Sequence, residues 1–147
     1  MAWGRTFIIL ASVVALSHGF YEIPDCSQLG QYAMQRDVKD DLVPNVLLYK
    51  PKNDDGASVE YKCDLEKMAG EILADPGKSL TEAVSLKMHP LVFAIEEEPG
   101  IDVNVMTKAA INTWETHIPH VEFATFGCNY RKENGSHMYV CLLKPSN

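Results

Sequence analysis

The chain has 147 residues, 13 Lys+Arg against 20 Asp+Glu, and a formal charge of −7. That acidic balance argues against nucleic acid or an anionic membrane as a partner, because both select cationic surfaces. The apolar share of 46% is enough to build the core of one ordinary domain.

Residues 1–19 read as a secretory signal. Arg5 supplies a positive start, residues 6–16 form an apolar run, and Ser17-His18-Gly19 places small residues at the two cleavage positions. The run is too short to cross a bilayer, so no membrane span is expected. Residues 20–147 are then the mature chain, one domain that is expected to be secreted and extracellular. Losing Arg5 leaves 12 basic residues against 20 acidic, or −8. Four cysteines follow the signal: Cys26, Cys63, Cys128 and Cys141. An even count in an oxidising compartment reads as two disulfides.

In chain order, residues 26–43 carry a weak helical stripe (Leu29, Ala33, Val38, Leu42) and predict a helix ended by Pro44. Residues 46–49 are a short apolar run stopped by Pro51, and residues 52–57 (KNDDGA) have loop composition. Residues 61–74 predict a helix with one buried face: Leu65, Met68, Ala69, Ile72 and Leu73. Asp64, Glu66 and Glu71 fall on the other side. Pro76-Gly77 ends that helix, and Ser79 with Glu82 forms a capping-box pattern for a short helix to Lys87. Residues 91–95 (LVFAI) read as a buried strand, followed by an acidic turn at Glu96, Glu97 and Glu98. Residues 105–117 predict a helix with Asp102 or Asn104 as cap and Met106, Ala109, Ala110, Thr113 and Trp114 along one side.

The most specific signal is C-terminal. Asn134-Gly135 is a hairpin turn pair, because a type I′ turn needs two residues that accept positive φ. That turn sets Tyr130 opposite Tyr139, Cys128 opposite Cys141 and Phe126 opposite Leu143. Cys128 and Cys141 then occupy a non-hydrogen-bonded pair, the closer of the two pair types and within disulfide reach. This pairing leaves Cys26 to join Cys63. The strands expected are residues 121–130 and 137–143, with His137 opposite Lys132 at a sheet edge. Helices alternating with few strands and ending in an antiparallel pair predict an α+β fold, or a sheet sandwiched by helices.

Candidate chemistry is sparse. His117 and His120 stand three apart, but Pro119 breaks the helix between them and no third ligand is near, so no metal site is expected. The triple acid at Glu96 reads as a solvated loop. No serine stands in a G-x-S-x-G context, and there is no phosphate-binding or dinucleotide glycine pattern, so no cofactor is expected. Asn134-Gly135-Ser136 is also an N-glycosylation sequon, which the hairpin tip would expose.

Three stretches resemble the CAP superfamily, especially the secreted venom-allergen-like proteins of parasitic nematodes. Residues 59–66 (VEYKCDLE) with the following helix are similar to the family's v-e-Y-D-C-D-L-E…A segment. Residues 109–114 are similar to its helix ending in A…W. Thr125-Phe126-Gly127-Cys128, with Val140-Cys141 and Lys144-Pro145, resembles its T-x-I-G-C-G…V-C-x-Y-x-P hairpin. The resemblance implies an α-β-α sandwich, secretion, and extracellular protein or lipid partners. Family members carry a histidine in the first helix and another in an H-F-T-x-x-x-W segment, with two acids. No H-N-x-x-R occurs in residues 26–43, and His120-Val121-Glu122-Phe123 is the nearest counterpart of the second motif, so only His120 carries over. The expectation is a secreted, non-enzymatic CAP-like binding or effector protein. The alternative is a small secreted carrier or protease-inhibitor-type protein of another α+β fold.

Overall fold

The computed structural model describes residues 22–52 and 58–146. The signal expected over residues 1–19 and nearly all of the loop expected at residues 52–57 lie outside them. Among the described residues the helices are α1 (Arg36–Leu48), α2 (Cys63–Ala74), α3 (Pro76–Ser85) and α4 (Val103–Trp114). The strands are β1 (Glu60–Tyr61), β2 (His89–Glu96), β3 (Thr125–Glu133) and β4 (Ser136–Lys144), and 3-10 turns occupy Ser27–Tyr32 and Ile118–His120.

The strands form one sheet in the order β1-β3-β4-β2, with β1 parallel to β3 and the other pairs antiparallel. Strand alternation divides its side chains between two cores. Phe126, Cys128, Tyr139, Cys141 and Leu143 pack with Val38, Leu42 and Val46 of α1 and Met106, Ala110 and Trp114 of α4. Val140 and Leu142 pack the opposite way, with Leu65, Ala69, Ile72 and Leu73 of α2 and Ala83 of α3. This is an α+β fold in three layers, α-β-α, with the sheet in the middle.

The hairpin has the register read from its turn. Glu133 faces Ser136, Tyr130 faces Tyr139, Cys128 faces Cys141 and Phe126 faces Leu143. Asn134 (φ 52°) and Gly135 (φ 77°) are both left-handed, as a type I′ turn requires. Disulfides join Cys128 to Cys141 across 4.0 Å between Cα atoms, and Cys26 to Cys63 across 5.4 Å.

Several elements differ from the sequence expectation. The first helix does not stop at Pro44. It starts later, at Arg36, and carries Pro44 inside it through to Leu48, absorbing the apolar run at residues 46–49. Proline removes the bond to the carbonyl of Asp40, a residue on the exposed side of the helix. The fully buried Leu42, Val43 and Val46 hold the helix together across that gap, and the Asn45 side-chain amide donates to Asp41 O at 2.7 Å. Tyr61 belongs to β1 and is buried against Phe126 rather than opening a helix. The α3 helix begins at Pro76, whose fixed φ suits a first helical position, so Ser79 is not its cap, and it ends at Ser85 before the left-handed Lys87. Asp102 caps α4, accepting from Asn104 N at 3.5 Å.

Candidate functional site

The polar centre of the molecule is built on Glu66, which the sequence pattern placed on the solvent side of α2. It is 0% exposed. The face of α2 that carries Glu66, Gly70 and Leu73 is covered by the 3-10 segment at Ser27–Tyr32 and by β3, so the helix is buried over a wider arc than its apolar stripe suggests. Both carboxylate oxygens are engaged. Oε1 accepts from the Tyr61 hydroxyl at 2.5 Å and pairs with Lys39 Nζ at 2.8 Å, and Oε2 accepts from Met34 N at 3.0 Å. Lys39, on α1, also donates to Pro24 O at 2.8 Å and stands 5.0 Å above the Tyr61 ring. Asn129 of β3 completes the cluster: its amide donates to Tyr32 O at 2.6 Å and to Glu66 O at 3.0 Å. Buried charges persist only when paired and hydrogen-bonded in this way.

These contacts tie residues 23–35 down as a strap, anchored by Cys26–Cys63 and by Pro24, Tyr32 and Met34. Beside the strap is a cavity of about 230 Å³, lined in part by Ile23, Asp25, Met34, Arg36, Lys39 and Glu66. A donated hydrogen bond from Ser27 N holds the Asp25 carboxyl below its usual range. A second cavity of about 260 Å³ lies by Tyr32, Gly70, Asn129 and Arg131.

The histidines are dispersed. His117 and His120 are both exposed, His117 capping and His120 ending the three-residue 3-10 turn, with His120 N donating to His117 O at 3.0 Å. His89 is exposed at the start of β2. His137 does pair with Lys132, but it is not at an edge: β4 lies inside the sheet, and His137 is 4% exposed. Its ring stacks on Tyr130, whose hydroxyl shares a 2.5 Å hydrogen bond with His137 Nδ1. Burial pushes the Tyr130 phenol up to about 12, with Tyr139, Asp37 and Glu97 adding to the shift. Glu97 of the acidic run pairs with Lys132 at 2.7 Å, which holds its carboxyl low. Asn134 is exposed at the hairpin tip.

Residues 26–143 match the family described as Ancylostoma-associated secreted protein related. The chain belongs to this family. It is a divergent member of the CAP superfamily, and all three stretches that carried the resemblance fall inside or almost wholly inside the match. Solved structures with a similar chain include manganese-bound Ac-ASP-7 (15% identity, TM-score 0.49, 76% of this chain and 67% of that one). Another is the Ancylostoma-secreted protein Ac-ASP-7 (16% identity, TM-score 0.49, 75% and 66%). A third is NaASP2 with Zn2+ (15% identity, TM-score 0.38, 88% and 83%). This chain spans about two thirds of the Ac-ASP-7 chains. No curated protein matches it.

In this member of the family, the C-D-L-E stretch delivers Glu66 to the interior, and the G-C stretch delivers Gly127 and Asn129 to the same helix. An ideal Cβ on Gly127 would stand 2.5 Å from Glu66 N, so only glycine lets β3 approach α2 this closely. Sequence reasoning missed Lys39, Glu66 and Asn129. One usable signal was present for Asn129: with Cys128 facing one core, alternation turns Asn129 toward the other, against α2.

Proposed function

We propose that this chain is a secreted, non-enzymatic member of its family that acts by binding an extracellular protein or lipid. The observation that carries the reading is the closure of the one carboxylate buried among the described residues: Glu66 has both oxygens committed to Lys39, Tyr61 and Met34 N. General acid-base chemistry needs a base within reach of the group it deprotonates, and the contacts of Glu66 leave neither oxygen facing a substrate. His117 and His120, the weak metal candidates, share a turn with no acid grouped beside them. Among the described residues no three His, Cys, Asp or Glu side chains are arranged to hold a metal. The manganese of Ac-ASP-7 and the zinc of NaASP2 belong to those proteins.

Two disulfides and the apolar segment at residues 6–16 support an extracellular location. No helix among the described residues is long and apolar enough to cross a membrane. The cavities beside the strap and beside Asn129, about 230 and 260 Å³, fall below the roughly 300–1,000 Å³ of ordinary ligand pockets. A larger one of about 540 Å³ between α1 and α4 is an open depression ringed by Asp37, Asp40, Asp41, Asn104 and Lys108, charged and polar groups that do not enclose an apolar chain. That favours protein contacts over enclosure of a lipid. Native mass spectrometry of the protein secreted from a eukaryotic host tests the choice: no lipid adduct is expected, and a solvent-extractable one would favour a carrier. The same sample tests modification, because a glycan on the exposed Asn134 is expected to add a glycosidase-sensitive mass that Asn134→Gln removes.

A further inference from the structure

We propose that the open edge of β2 is a docking surface for an extended, basic strand of a partner protein. Among the described residues β2 closes one side of the sheet and pairs with β4 alone. The hairpin register fixes which of its main-chain groups face outward. Cys128 and Cys141 form a non-hydrogen-bonded pair, so Cys141, Tyr139 and His137 direct their N–H and C=O toward β2. Their partners Leu91, Phe93 and Ile95 point inward, and Val92, Ala94 and Glu96 point away from the sheet.

Three details agree with that assignment. Pro90, which has no N–H, occupies an outward position where it forfeits no ladder bond. The Trp114 indole N–H reaches the outward carbonyl of Val92 at 3.5 Å. Glu97 N, on the inward alternation, donates to Gly135 O at 2.6 Å. Beyond Val92 O, no described residue bonds the outward groups of Val92, Ala94 and Glu96. Their side chains are bare as well: Val92 is 55% exposed, and Ala94 and Glu96 are exposed.

Charge names the occupant. An incoming strand that pairs with Ala94 and Glu96 runs beside Glu96 and Glu98, both exposed, so a lysine or arginine at its end completes the contact. A second copy of this chain is disfavoured. It would set Glu96, Glu97 and Glu98 of both copies along one ladder between two acidic molecules, and Pro90 and Trp114 already close the other half of the edge. Main-chain bonds then supply affinity and the acidic end supplies orientation, the pattern of strand addition to an exposed edge.

This surface rests on the binding-protein reading, and the two fail separately: turnover of a hydrolase substrate would end that reading while leaving the edge intact. The probe is the peptide acetyl-Lys-Val-Thr-Val-Lys-amide, titrated into isotope-labelled mature protein and followed by amide chemical shifts. Shifts are expected at Val92, Ala94 and Glu96 and not at Leu91 or Phe93, with binding weakened by added salt. Ala94→Pro removes the central outward N–H and leaves every inward bond in place. It is expected to weaken binding by about tenfold or more. Glu96→Lys, a surface change that folding tolerates, is expected to weaken the basic peptide and improve its glutamate-ended counterpart. No shifts at millimolar peptide, shifts elsewhere, affinity unchanged from wild type in either variant, or a wild-type dimer disrupted by Ala94→Pro would each overturn the proposal.

Discussion

A methyl group added at Gly127 probes the contact that the interior depends on most. The ideal Cβ would stand 2.5 Å from Glu66 N, 2.5 Å from Leu65 Cβ and 2.6 Å from Leu65 C. Relaxed heavy-atom contacts need about 3.5–4.0 Å, so α2 and β3 must separate by about 1 Å. Two of the three atoms are helix backbone, and no rotamer change relieves them. Overpacking of this kind costs about 1–3 kcal/mol. We expect the upper end, about 3 kcal/mol, because moving α2 also strains the bonds of Glu66 to Lys39, Tyr61 and Met34. Urea unfolding followed by circular dichroism should then show a midpoint lower by about 1.5 M at an m-value near 2 kcal/mol/M. Gly77→Ala is the control. Gly77 lies in α3 with nothing within 4 Å of its ideal Cβ, so that variant should be neutral or more stable by up to about 1 kcal/mol. A Gly127→Ala midpoint equal to wild type would refute the close-approach argument.

Lys39→Met removes the cation paired with buried Glu66, and is expected to destabilise by about 3–5 kcal/mol. Adding Glu66→Gln to it should recover much of that loss, and a double variant no better than the single would argue against a coupled pair. Peptide mapping without reduction should recover Cys128 linked to Cys141 and Cys26 to Cys63. Cys63 linked to Cys128 would contradict the hairpin register. The Tyr130 phenol, raised to about 12, should stay protonated in the folded protein where a free tyrosine, at about 10, has ionised. The sign follows from linkage: its contribution to stability is complete below about pH 10 and is lost as the pH rises through 12. Spectroscopic titration showing every tyrosine ionising near 10 would remove that claim.

The hairpin was legible because its determinants are local and agree. Asn134-Gly135 fixes the turn, the turn fixes the register, and the register brings two cysteines and an apolar face together. Disagreement came where tertiary packing overrode local preference. Pro44 is a helix breaker by its chemistry, yet Leu42, Val43 and Val46 are so deeply buried that α1 continues past it. Glu66 and His137 are polar by type, and their burial depends on partners in other elements, for Glu66 about thirty residues away along the chain. Lys39 and Met34 reach Glu66 from α1 and the strap, and Tyr130 reaches His137 from the facing strand. Periodicity on a single helix carries no information about such partners. The same limit explains why the candidate histidines could be found in the sequence while the polar centre of the molecule could not.

The central claim, that this chain works by binding and not by metal-assisted chemistry, is tested most directly by isothermal titration of the mature protein with zinc. The comparison is with the His117→Ala/His120→Ala double variant. A catalytic zinc needs about three protein ligands around one open position, and His117 and His120 supply two exposed rings on one short turn. The account predicts weak binding, no tighter than an exposed histidine pair gives. Sub-micromolar zinc binding that the double variant abolishes would contradict it.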